Sequence, residues 1–95
     1  MGKGWVKEIN AHLSVSTCLT GDGEWELFFR GEQGDQELGN NTVIGMWDGE
    51  MDPDGIEAKK VHERAVLLLQ SGTSLKKTHL EIQAMVGEIE EKIGG

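Results

Sequence analysis

From Trp5 onward apolar and polar positions alternate: Trp5, Ile9, Ala11, Leu13, Val15 and Leu19 share one parity, and Glu8, Asn10, His12, Ser14 and Ser16 share the other. A period of two is what a strand with one buried face produces, because successive side chains point to opposite faces. The spacing predicts a strand over about 5–19, with Lys7 breaking the apolar face near an end that still reaches water. Thr20-Gly21-Asp22-Gly23 then supplies turn chemistry, since glycine reaches positive φ without steric cost. A returning strand over 24–30 sets Trp25, Leu27 and Phe29 against the apolar face of the first. Thr42-Val43-Ile44-Gly45-Met46-Trp47 is a third short strand, in which Gly45 allows a bulge or a close backbone approach.

The period changes after Asp52. Asp52-Pro53 places a capping residue before a proline in the favoured first helical position, and Ala58, Val61, Ala65, Leu68 and Leu69 then recur at helical spacing. This predicts a helix over about 53–70, with Gly55 drawing its start toward Ile56 and Gly72 lying just past its end. A second helix over about 74–93 follows, capped by Thr73 or Ser74, with Leu75, Ile82, Met85, Val86, Ile89 and Ile93 in one stripe. Gly87 interrupts it and marks either a close helix crossing or a weak point. The short link makes the helices antiparallel neighbours, and each has an apolar face to bury. The expected fold is α+β: a three-stranded antiparallel sheet followed by an antiparallel helical hairpin packed on one face, with 1–95 forming a single domain.

Composition supports a folded chain of this kind, with 37% hydrophobic and 27% charged residues over 95 positions. No apolar run approaches the ~18 residues that a membrane span needs, and the first residues lack the apolar stretch of a signal peptide, so a cytoplasmic protein without membrane contact is expected. Cys18 is the only cysteine, which excludes an internal disulfide and any thiolate cluster.

Charge changes the picture more, because the net charge of −8 is not spread evenly. Residues 1–30 carry −1 and residues 59–95 carry +1. Residues 31–58 carry −8, from Glu32, Asp35, Glu37, Asp48, Glu50, Asp52, Asp54 and Glu57, without a single Lys or Arg. Direct binding to nucleic acid is not expected, since phosphate contacts require clustered cations.

Within that segment, Glu50-x-Asp52-x-Asp54-Gly55 resembles the first half of an EF-hand loop, which collects oxygen ligands at alternate positions. It departs from the pattern at its first position, which is Glu, at Pro53, and at Val61, which stands where a bidentate Glu belongs. The same carboxylates also serve the first turn of a helix, where negative charge is favourable. His12, Cys18, His62 and His79 have no zinc-motif spacing. The terminal Gly94-Gly95 resembles the tail of ubiquitin-like modifiers, but there a strand leads into the diglycine and here a helix does, so no function carries over. No phosphate-binding glycine loop or nucleophile elbow is present.

These features point to a small acidic, non-enzymatic binding module, a regulator or inhibitor that meets a basic surface of a partner protein. The residues expected to carry the contact are Glu32, Asp35, Glu37, Trp47, Asp48, Glu50, Asp52 and Asp54, with Trp47 as an aromatic centre inside a charged rim. The alternative is a calcium-binding protein that uses Asp48, Glu50, Asp52 and Asp54. A sheet edge or face also offers a route to a homodimer.

Overall fold

A computed structural model describes residues 4–11, 13–31 and 42–94. Four strands, β1 (Gly4–Asn10), β2 (Leu13–Leu19), β3 (Glu24–Gly31) and β4 (Thr42–Asp48), form one antiparallel sheet in the order β1-β2-β3-β4. A 3-10 turn (Gly49–Met51) leads to α1 (Ile56–Gln70) and α2 (Leu75–Gly94). The helices pack on one face of the sheet, α1 over β1 and β2 and α2 over β4. The α+β architecture expected from the periodicity is therefore present, with one strand more than expected.

The extra strand comes from a break in the first alternation. The stretch expected as one strand over 5–19 folds back at Ala11 into β1 and β2, which pair Trp5 with Thr17 and Lys7 with Val15. A fifteen-residue strand would reach about 50 Å, whereas the molecule's longest dimension is 35 Å. The register shifts between Glu8 and Asn10 at the turn, and the odd positions of both strands still face the helices. The alternation thus runs unbroken through a hairpin.

The next pairing follows the expectation. Val15, Thr17 and Leu19 of β2 lie opposite Phe29, Leu27 and Trp25 of β3, and the Thr20 to Gly23 turn closes with Gly23 N–H donating to Thr20 O at 3.0 Å. The β3–β4 register shifts beside Gly45, between Leu27 and Phe28, as a bulge does. Val15, Trp25, Leu27, Phe29 and Trp47 of the sheet join Ala58, Val61, Ala65, Leu69, Ile82, Val86 and Ile89 of the helices in one buried cluster.

Both helix ends are closed by local chemistry. At the end of α1, Gly72 has φ 89°, and Gly72 N–H and Thr73 N–H donate to Leu69 O and Leu68 O at 3.2 and 3.0 Å. This is the Schellman arrangement, for which glycine suits the left-handed position. Ser74 caps α2, its Oγ accepting from Lys77 N–H at 3.2 Å. The Gly87 position faces open space rather than another helix, so it is not a close crossing point.

One buried residue on α1 was not expected there. His62 lies one turn past Ala58, and its Nδ1 is hydrogen-bonded to Thr17 Oγ1 at 2.8 Å, tying α1 to the sheet. Burial lowers its pKa from the ordinary 6.5, an effect only partly offset by Glu63. Because the unfolded chain protonates this ring first, the stabilising contribution is complete above pH 6.5 and is lost as pH falls below that value. Urea denaturation between pH 7.5 and 5 should show stability falling with acidity. The His62→Gln variant should show a shallower fall, by up to about 1.4 kcal/mol per pH unit; identical pH profiles would remove His62 as the cause.

Candidate functional site

The β2–β3 turn and the segment from β4 to α1 leave the sheet at the same end, because alternate connections of an antiparallel meander do so. Two backbone features join them: Glu24 is the cross-strand partner of Asp48, and Gly49 N–H donates to Gly23 O at 2.8 Å. Asp22 and Glu24 are thereby brought beside Asp48 and Glu50. Asp22, Asp48, Glu50 and Asp54 are exposed and Glu24 is half-buried. Glu24 and Asp48 project from the same face of the sheet, and no Lys or Arg occurs in residues 8–29 or 31–58. Carboxylates from two chain segments form one acidic end.

Not every residue expected at the site belongs to this surface. Trp47 is 2% exposed and packs in the core opposite Trp25, so it is not the aromatic centre of an interface. Asp52 is 4% exposed and faces inward. Its Oδ1 accepts from Glu57 N–H at 3.1 Å, and its Oδ2 accepts from Ala58 N–H at 2.7 Å and from the Trp47 indole at 3.4 Å. Its backbone oxygen accepts from the Trp25 indole at 2.8 Å. Asp52 therefore caps α1 from three residues before Gly55, the N-cap position, whose own residue offers no side chain. Glu57 lies in the first turn of α1 and pairs with Lys60 at 3.6 Å. Glu32, Asp35 and Glu37 lie outside the described residues. The connection that carries them leaves at Gly31 and returns at Thr42, which pairs with Phe29 at the far end of β3 from Asp48.

The same geometry bears on the calcium alternative. Asp52 spends both oxygens on the helix terminus and Trp47, and Asp48 Oδ1 accepts from Glu50 N–H at 2.8 Å to cap the 3-10 turn. Among the described residues, no three His, Cys, Asp or Glu side chains gather so as to hold a metal ion. In this loop Asp48 and Asp52 therefore act as caps. Cys18 sits on the helix-free face of the sheet opposite Gly4 and Glu26, and His12 lies outside the described residues.

Asp22 and Glu24 were not among the expected site residues, although the signal was available. A turn at Thr20 to Gly23, followed by one strand down and one strand up, already places that turn beside the exit at Asp48. Among the described residues, no helix is long and apolar enough to cross a membrane.

The fold and its acidic end define a small two-layer α+β protein, a four-stranded meander backed by a helical hairpin. Compared with models of protein families, with curated proteins and with solved structures, the chain matches none.

Proposed function

We propose that this chain is a non-enzymatic binding module whose acidic sheet end docks on a basic surface of a partner protein, in the manner of a small regulator or inhibitor. The observation that carries this reading is the direct cross-strand opposition of Glu24 and Asp48, with Asp22 and Glu50 next to it in two segments that contain no cation. Like charges placed opposite each other in a sheet cost stability, by roughly 0.2–1 kcal/mol. A cost of that kind is offset when a cationic partner settles over it, and the field of the cluster steers such a partner into place. The same field repels phosphate backbones.

The Glu24→Gln/Asp48→Asn variant separates this reading from a purely structural one. Both replacements keep hydrogen-bonding capacity, and Asn remains a good cap for the 3-10 turn. The variant should be more stable by about 0.5 kcal/mol in urea denaturation. It should also recover much less of any basic partner that the unmodified chain captures from the producing cells, and that capture should weaken steeply with salt. If the same proteins come down with both chains, or if salt has no effect, the proposal fails.

A further inference from the structure

β1 is an edge strand, and among the described residues nothing pairs with the outer side of residues 4–9. In an antiparallel pair alternate residues turn their N–H and C=O groups away from the partner, so this edge presents unused donors and acceptors to solvent. Alongside it, between β1 and α1, runs an open groove of about 520 Å³. Its apolar lining comes from Trp5, Val66 and Leu67, and its charged lining from Lys7, Lys59 and Glu63. Leu67 is 55% exposed, an apolar side chain left in water on the wall of the groove. The Trp5 ring is fixed from behind, stacked on Trp25 at 5.7 Å between centroids and tilted against His62 at 5.9 Å.

The charges select the occupant. On α1, Lys60 and Arg64 are paired with Glu57 and Glu81, whereas Lys7 and Lys59 have no ion-pair partner among the described residues. In a chain of net charge −8 this groove is locally positive, two ammonium groups against Glu63. A second copy is a poor fit. Two molecules of this charge repel, and antiparallel self-pairing centred on Lys7 would set two ammonium groups face to face. A charged side chain on the core-facing side of an edge strand is a device that discourages such self-pairing.

We propose that the groove binds an extended segment of a partner protein as a fifth strand beside β1, with apolar side chains against Trp5, Val66 and Leu67 and a carboxylate between Lys7 and Lys59. Backbone hydrogen bonds to the free edge supply affinity, and the alternating side chains supply selectivity. This site is separate from the acidic end and does not rest on it: its residues are 4–9 and 59–70, and those of the acidic end are 22–24 and 48–54.

The test uses the full chain, labelled for amide NMR, and the acetylated, amidated heptapeptide Thr-Leu-Thr-Glu-Thr-Leu-Thr as the probe. Its Leu, Glu and Leu fall on one face of an extended strand. Saturable shifts are expected in the amides of residues 4–10 and 59–70. Binding should weaken by about tenfold when the peptide's Glu is replaced by Lys, when alternate peptide nitrogens are methylated, and when the protein carries the exposed change Lys59→Glu. No saturable shift at millimolar peptide, or equal binding by the Glu and Lys peptides, overturns the proposal. A doubled mass in light scattering without peptide also overturns it, since the edge would then belong to a second copy. Shifts confined to residues 48–54 would count against the groove while leaving the acidic end untouched.

Discussion

Replacing Asp52 by alanine is expected to destabilise the protein by about 3 kcal/mol, the sum of a lost helix cap and of buried donors left without an acceptor. The carboxylate accepts from the second and third N–H groups of α1 and from the Trp47 indole. Asp52 is itself buried, so water cannot take its place without opening the loop. For a domain of this size a loss of about 3 kcal/mol corresponds to a fall in Tm of roughly 15 °C, readable by circular dichroism. Asp52→Asn should fall between the two, because its amide keeps one acceptor oxygen and sets a donor against the remaining N–H group. A loss below about 1 kcal/mol for the alanine variant would mean that α1 is held by packing alone and that the cap is incidental.

Gly55→Ala should be nearly as costly, at about 3 kcal/mol, for a different reason. Gly55 has φ 73°, a left-handed conformation in which a side chain is strained. An added Cβ would also stand 2.9 Å from Trp25 Cζ2 and 3.3 Å from Trp5 Cη2. Trp25 is fully buried and cannot move aside. Gly72 provides the control, because its φ of 89° is equally left-handed while the space around it is empty. Gly72→Ala should therefore cost only the backbone term of about 1–2 kcal/mol. The difference between the two variants in urea denaturation measures the packing around Trp25, and equal losses would show that backbone strain accounts for both.

These two residues mark where local reasoning about the chain stopped. Asp52 was legible as a helix cap from its position before Pro53, and Gly55 as a reason for the helix to start near Ile56. Neither pattern showed that the capping loop folds inward, so that Asp52 accepts hydrogen bonds from Trp25 and Trp47, which lie 27 and 5 residues away. Trp47 reads equally well as core or as interface from its neighbours in the chain. Only the pairing of β4 with β3, which sets Trp47 against Trp25 beneath the helices, settles it as core. His62 falls one helical turn after Ala58, a spacing that fits the buried stripe, although it was not counted there. Its hydroxyl partner Thr17 lies 45 residues away and leaves no trace in local pattern.

The sequence by itself determined the alternation that builds the sheet, the helical stripes that cover it, the turn at Thr20 to Gly23 and the glycine end of α1. Each of these depends on neighbours within a few positions, where steric and hydrogen-bonding preferences act directly. Tertiary structure decided the rest. It divided one long alternation into β1 and β2, since the period of two survives a short turn while a single strand of that length would outrun the molecule. It also regrouped the charge. Of the acidic run of residues 31–58, Asp48 lies beside Glu24, because strand pairing brings together carboxylates that sequence distance keeps apart.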